Sequence, residues 1–458
     1  MPDRLSPLDV SFLYLESETT PMHVGGVCIL EPAPDGFDYD RLVRLIGERI
    51  ASVPRFRQRI RWVPGHLGNP VWVDDPEFDL TYHVRRSALP RPGTEEQLRE
   101  LTGRVQSRLL DRSRPLWEIY LVEGLADGRN AIITKTHHAM VDGISAVDIG
   151  AVILDLTREP RQSPRDDWEP EPEPSRVALV TDAVTELVRR PAEIVTTARG
   201  AVADARRLAG RAAGFAAALR TTARSAPQSP LNVEIGAQRR FGMARTELDD
   251  YKRVRKVHGG TVNDVVLATV AGALRTWLLT RGESVNGKVI RAMVPVSVRS
   301  EDERGALGNR VSAFFVDLPV GEPSPVVRLS QVSYAMAGHK ESGQSIGAEV
   351  LVSMAGFVAP TLHAMGARVT AGLTKRLFNV VVTNVPGPQV PLYAGGAEMR
   401  EVFPVVPLAK GQAVSIGLTS YNGGVYYGLN ADRDAMPDVD VLAQCIEESL
   451  AELVETVR

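Results

Sequence analysis

Cysteine is almost absent from this chain: among 458 residues only Cys28 and Cys445 carry a thiol. Two thiols so far apart build neither a disulfide framework nor a cysteine-based zinc site, and they fit a reducing compartment. No uninterrupted apolar run reaches about 18 residues, so no membrane-spanning helix is expected. The segment Met1–Leu15 lacks a basic start and an apolar core, and is not expected to act as a secretory signal. A formal net charge of -3 gives no whole-chain reason to look for a nucleic-acid partner. A cytoplasmic protein is the expectation. At this length one core does not suffice, so at least two domains are expected. Histidine is scarce as well, with eight in the chain, which makes any clustering of them informative.

Two of the eight are adjacent. His137-His138-Ala139-Met140-Val141-Asp142-Gly143 forms the pattern HHxxxDG. An apolar strand, Ala131–Thr136, runs into it. Beyond it Ile144, Val147, Val152, Ile153 and Leu156 recur at helical spacing, so the motif lies at a strand-to-helix junction. Histidine is the side chain best suited to move protons near neutral pH. Consecutive strand residues point to opposite faces, so only one of the pair faces a reacting group unless the strand breaks there. One histidine acting as general base can deprotonate an alcohol for attack on an acyl donor, with no covalent enzyme intermediate. His137 reads as a packed histidine bonded to backbone, and His138 as a functional rather than a core histidine. Asp142 has two readings: the N-cap of the following helix, or one half of a buried ion pair with Arg291 or Arg299. A metal centre is not expected, since adjacent histidines do not readily share one ion and no HExxH is present.

The surrounding pattern is α/β. Strands are expected at His23–Leu30, Trp117–Val122, Val289–Val298, Ser312–Leu318, Phe378–Thr383, Val414–Ser420 and Gly424–Leu429. Helices are expected at Tyr39–Ile50, Glu95–Leu110, Val265–Leu279, through the apolar segment Ala348–Leu373, and at the C-terminus. A basic segment surrounds Arg55–Arg59. From Glu159 to Pro174 the chain turns proline-rich and acidic, which reads as an extended, solvated linker. An Ala/Arg-rich helical stretch follows, from about Arg176 to Arg224. It is either a solvated connector or a surface that attaches to anionic lipid. The organisation expected is 1–158, a linker over 159–230, and 231–458.

Several blocks resemble one family, the bacterial wax ester synthase/acyl-CoA:diacylglycerol acyltransferases. They are Pro7–Leu13, Thr20–Gly26, Arg114–Glu118, the HHxxxDG motif, Thr261–Val266, Val294–Ser297, Gly308–Val311 and Thr383–Pro388. The similarity runs nearly end to end and weakens mainly across Glu159–Arg224. HHxxxDG alone is shared with peptide-synthetase condensation domains and chloramphenicol acetyltransferase. The resemblance implies two chloramphenicol-acetyltransferase-like domains with mixed sheets flanked by helices, a crossing linker, and a site in a tunnel between them. It implies acyl-CoA as co-substrate with no further cofactor, a diacylglycerol or fatty-alcohol acceptor, His138 as base, and Asp142 holding the motif's geometry; Gly143 and Asp264 are, with Asn263, candidates to meet the substrate or its oxyanion. Membrane or lipid-body association is an expectation of the same kind. Asn263 is either part of a capping box, Thr261 to Asp264, or a donor to the oxyanion. Pro115-Leu116-Trp117 reads as a strand start that fills the core, and Glu16 as a surface carboxylate.

A rival motif is present. Gly343-Gln344-Ser345-Ile346-Gly347 matches GxSxG, the nucleophile elbow of hydrolases. An elbow needs a buried strand before the serine, and here Gly338–Ser342 is polar. After Ser345 the only histidine is His363, and the only acid between them is Glu349, four residues from the serine. A lipase is therefore set aside. A condensation-type enzyme using a carrier-bound thioester, and a lipid-binding protein without turnover, remain as alternatives.

Overall fold

The computed structural model describes residues 2–34, 36–140, 149–162, 166–189, 226–297, 311–341, 346–347 and 377–457. Two seven-stranded mixed sheets form the framework. The first runs β4 (Val84–Ala88), β5 (Trp117–Glu123), β6 (Asn130–His137), β1 (His23–Leu30), β14 (Ala397–Val405), β13 (Tyr393–Ala394) and β7 (Leu154–Asp155). The second runs β11 (Ile346–Gly347), β10 (Val311–Leu318), β9 (Ile290–Ser297), β12 (Val380–Pro386), β15 (Val414–Tyr421), β16 (Gly424–Asp432) and β8 (Arg239–Glu247). A hairpin of β2 (Gln58–Arg61) and β3 (Val71–Asp74) stands apart. Parallel pairing occurs at β4–β5, β9–β12 and β12–β15, so both sheets are mixed, as the α/β pattern and the family resemblance imply.

The helices begin where the sequence supplies caps. In α1 (Pro7–Leu15) Ser6 and Asp9 close a capping box, with proline in the first turn. The short and surface helices α2 (Tyr39–Arg49) and α3 (Leu80–His83) start on Asp38 and Asp79. Thr94 and Gln97 cap α4 (Glu95–Ser107). Next come α5 (Ile149–Ile153), α6 (Arg176–Arg189) and α7 (Leu248–His258). Thr261 and Asp264 cap α8 (Val262–Thr280), the box expected from the sequence. The last are α9 (Pro325–Glu341) and α10 (Val439–Glu455). Among the described residues α8 alone is long and apolar enough to span a membrane, but 72% of its apolar window is buried, and it packs on α9 and α10 as a core helix. The apolar segment expected as helix over 348–373 lies outside the described residues.

Strand β6 shows why its sequence is continuously apolar rather than alternating. Ile132 belongs to the core under α1 and α2. Ala131 and Ile133 belong to a different core, shared with Val105 of α4, Phe241 and Met243 of β8, and Phe403 and Val405 of β14. Both faces are covered, so both must be apolar.

The two sheets are interlocked in a way the sequence did not suggest. β13 and β14 come from the C-terminal part of the chain, yet β14 pairs antiparallel with β1 of the first sheet, Val27 opposite Phe403. β14 also lies on β15 and β16. A Cβ added at Gly428 would sit 1.9 Å from the Pro404 carbonyl oxygen, so only glycine permits that approach. Asn430 Nδ2 donates to the Val406 carbonyl at 2.8 Å. Arg245 of β8 joins Glu401 of β14 at 2.7 and 2.8 Å and Glu95 of α4 at 2.6 Å.

The proline-rich acidic segment is not simply solvated. Asp166 pairs with Arg57, whose guanidinium lies 4.7 Å from the centre of the Trp168 ring. Glu173 holds Arg59 and Arg61, each at 2.7 Å. The basic stretch before and along β2 is what the acidic stretch was made to meet. Alternating arginines project to one side of a strand, and the extended proline-rich chain lies along them.

Candidate active site

The strand carrying the motif ends at His137, and His138–Met140 continues as a single 3-10 turn. Two backbone hydrogen bonds hold the junction. His137 N–H donates to the Leu116 carbonyl at 2.9 Å, and His138 N–H donates to the Met22 carbonyl at 2.8 Å. The blocks Thr20–Gly26 and Arg114–Glu118, far apart in sequence, thus flank the histidines. The Pro7–Leu13 block arrives through α1: the Phe12 ring stacks on the His138 ring, centroids 3.9 Å apart and planes 25° apart.

The two histidines do diverge. His137 is fully buried and faces β1. Its Nδ1 accepts from the Ala139 N–H at 3.0 Å. Its Nε2 lies 3.4 Å from Glu16 Oε1, and His23 Nε2, from the facing residue of β1, lies 3.2 Å from the same oxygen. Neither ring N–H points squarely at that oxygen, so these are close electrostatic contacts rather than aligned hydrogen bonds. The other carboxylate oxygen, Oε2, receives Arg112 Nε at 3.0 Å and Nη2 at 2.6 Å. Glu16 is therefore not a surface carboxylate: its side chain is 2% exposed. The sequence reading failed there because Glu16 follows a short helix in a polar stretch, and its partners lie on three other segments.

His138 is half-buried, and among the described residues its Nδ1 has no hydrogen-bond partner. Burial, and then the nearby His137, push its pKa down to about 4, against a smaller opposing pull from its own main chain. Burial likewise lowers His23 to about 4. Burial alone would raise Glu16. Its contacts with His137 and His23 outweigh that and hold it well below the usual carboxylate range. At neutral pH the arrangement is a neutral His138, with His137 next to it in contact with a buried, ionised carboxylate countered by Arg112. Two histidines converge on that carboxylate, but Arg112 opposes a cation there. Among the described residues no group of His, Cys, Asp or Glu side chains could hold a metal ion.

Trp117 is core. It is fully buried, its Nε1 donates to the Phe56 carbonyl at 2.8 Å, and its ring stacks on His83 at 4.6 Å. Lys135, two residues before His137 on the same strand face, is also fully buried. Its ammonium donates to the Val105 and Arg108 carbonyls at the end of α4, satisfying a helix C-terminus. Burial brings its pKa down to about 8.

In the second sheet, two further blocks meet. Asn384 Nδ2, on β12, donates to Asn263 Oδ1, in the first turn of α8, at 3.3 Å. With its oxygen held, the Asn263 amide presents its NH2 as donor. Asp264 Oδ2 accepts from the Thr261 N–H at 2.8 Å, while its buried Oδ1 has no partner among the described residues. Arg291 pairs with Asp317 across β9 and β10 at 2.6 Å. Asp142, Gly143, Arg299, Ser345 and His363 lie outside the described residues.

Residues 5–266 match a family model described as the wax ester synthase/diacylglycerol acyltransferase catalytic domain, and residues 307–454 one described as the WS/DGAT C-terminal domain. A Mycobacterium tuberculosis (H37Rv) protein named "Probable diacyglycerol O-acyltransferase tgs1" is 36% identical over 461 residues, covering 99% of this chain and 96% of the relative. A second from that strain, named tgs2 with the same activity, is 36% identical over 472 residues and 99% of each chain. Among solved structures, the wax ester synthase/diacylglycerol acyltransferase from Marinobacter aquaeolei VT8 superposes with a TM-score of 0.71 at 30% identity, covering 99% of both chains. The first condensation domain of the CDA synthetase shares the fold, with a TM-score of 0.56 at 16% identity over 99% of this chain and 98% of that one.

Proposed function

The chain belongs to the wax ester synthase/diacylglycerol acyltransferase family, and from that premise we propose how it transfers a long-chain acyl group from acyl-CoA to an alcohol, diacylglycerol or a fatty alcohol, in triacylglycerol or wax ester synthesis. The observation that carries the mechanism is the half-buried His138 ring, fixed between Phe12 and the end of β6, where burial disfavours its charged form. His138 takes the proton of the acceptor hydroxyl as that oxygen attacks the thioester carbonyl. The tetrahedral oxyanion is met by the Asn263 amide. The carbon–sulfur bond then breaks, and the proton on His138 passes to the departing CoA sulfur. The balance needs acyl-CoA as co-substrate and no further cofactor. His137 holds the turn, Asp142 holds the remainder of the motif, and Gly143 is a candidate to meet the substrate. Asp264 anchors the start of α8.

The arginine-rich stretch 189–224 is assigned to reversible attachment to an anionic membrane or lipid-body surface on the cytoplasmic side, where the acceptor resides. The test of the activity is direct. Purified protein is incubated with long-chain acyl-CoA and a panel of diacylglycerol, monoacylglycerol and fatty-alcohol acceptors, with CoA release and lipid products measured. Turnover with a carrier-bound thioester and none with acyl-CoA would transfer the chain to the condensation class of chemistry.

A further inference from the structure

The buried Glu16 carboxylate has no part in the proton transfer just described, yet three segments converge on it. Its Oε1 lies 3.2 Å from His23 Nε2 on β1 and 3.4 Å from His137 Nε2 on β6, and accepts from the Met22 N–H at 3.3 Å. Its Oε2 accepts from Arg112, in the segment that leads to β5, at 2.6 and 3.0 Å. Burying a carboxylate is costly unless it is paired and hydrogen-bonded, so such a group persists for a reason.

The geometry around His137 supplies one. A backbone N–H is always a donor, so the nitrogen that accepts from it carries no proton. His137 Nδ1 accepts from the Ala139 N–H at 3.0 Å. In the neutral ring the proton must then sit on Nε2, and Nε2 is the nitrogen that faces Glu16. The negative charge of the carboxylate favours an N–H over a lone pair on the nitrogen that faces it, so the electrostatic contact alone favours that tautomer. The Ala139 N–H lies inside the 3-10 turn that begins at His138. We propose that Glu16 is a positioning residue: it holds His137 as the Nε2–H tautomer, which ties down the Ala139 amide and sets the turn that aims the His138 ring at the acceptor hydroxyl. This rests on His138 being the base.

If the carboxylate becomes an amide, the constraint is lost. The amide can offer either a donor or an acceptor, His137 can exchange tautomers or flip, and the Ala139 N–H loses its partner. Arg112 is not stranded by the change, because its side chain is 42% exposed and reaches water. Glu16→Gln should therefore fold, and the effect should fall on turnover rather than on acyl-CoA binding. Misplacement of a catalytic group by about 1 Å costs about 10²-fold, so a loss in kcat of about 10- to 100-fold is expected, with KM for acyl-CoA within about twofold.

The test joins kinetics to a spectroscopic signature. Eight histidines make the 15N-histidine spectrum of the labelled protein tractable, and His137→Gln identifies the ring in question. The wild-type chain should show His137 as the Nε2–H tautomer. Glu16→Gln should show exchange or the Nδ1–H form together with the fall in kcat. A wild-type His137 protonated on Nδ1 overturns the proposal without any Glu16 variant having to fold. So does a folded Glu16→Gln protein with the tautomer and kcat of the wild type. His138→Ala is run alongside: if it turns over normally the base assignment fails, whereas an inactive His138→Ala beside a normal Glu16→Gln removes only the positioning role.

Discussion

Acid is the sharpest probe of the base assignment. Burial and the adjacent His137 move His138 down to about 4. At pH 5.5 an imidazole with the ordinary pKa of about 6.5 is about 90% protonated, whereas one titrating near 4 is about 3% protonated. A general base works only when neutral, so kcat/KM at pH 5.5 should stay close to its neutral-pH value, where an unshifted base would leave about a tenth. Stability moves in the same window and must be separated from it. His23 is also depressed to about 4. Below pH 6.5 the unfolded chain takes up a proton that the native chain refuses until about pH 4. The stabilisation is thus complete above 6.5 and is lost as pH falls toward 4. For His23, 2% exposed, the full loss is roughly 3 kcal/mol. Initial rates of CoA release, read with a thiol reagent that works in acid, should be taken only where tryptophan fluorescence reports folded protein. An acid limb of kcat/KM centred near 6.5, on protein that is still folded, would refute the reasoning.

Two further outcomes follow from the geometry and a third from the charge pattern of the sequence. His138→Ala should lower kcat by about 10²- to 10⁴-fold with acyl-CoA affinity retained, and His137→Ala should lower thermal stability as well, as calorimetry beside the kinetics would show; a stable His138→Ala protein with normal turnover sinks the mechanism. Gly428→Ala places a methyl group where the Pro404 carbonyl oxygen lies 1.9 Å away, so urea unfolding should report a loss of about 1–3 kcal/mol, and an unchanged midpoint would mean that β14 and β16 do not approach as described. Replacing Arg199, Arg206, Arg207 and Arg211 with Gln should lower co-sedimentation with anionic vesicles, and binding that is absent in the parent or indifferent to salt and to these changes would make the stretch a connector only.

The division between what the chain states and what the fold decides follows the range of the interactions. Local chemistry was legible. The capping box at Thr261 and Asp264 involves residues three apart, so it starts α8 wherever that helix is placed. The apolar run before His137 marked a strand, and two histidines at its end implied rings on different sides. The α/β pattern followed from periodicity, and the candidate base from the chemistry of imidazole together with the family resemblance.

What stayed hidden depends on pairing between distant segments. Strand β14 was not anticipated. Its place in the first sheet is set by pairing with β1, Val27 opposite Phe403, far away in sequence, while β15 and β16, which follow it in the chain, belong to the second sheet and pack against it. The acidic linker looked solvated because the arginines that hold Asp166 and Glu173 lie on β2 and just before it. Glu16 looked like a surface residue because nothing within its own stretch buries it. Charge and hydrogen-bonding capacity are written in each side chain, but desolvation is not: it is set by which segments close around a residue. The sequence, through its motif and its family resemblance, therefore supplied the class of reaction and a candidate base. Only the tertiary structure decided which carboxylate stands behind the histidines, because only packing removes that carboxylate from water.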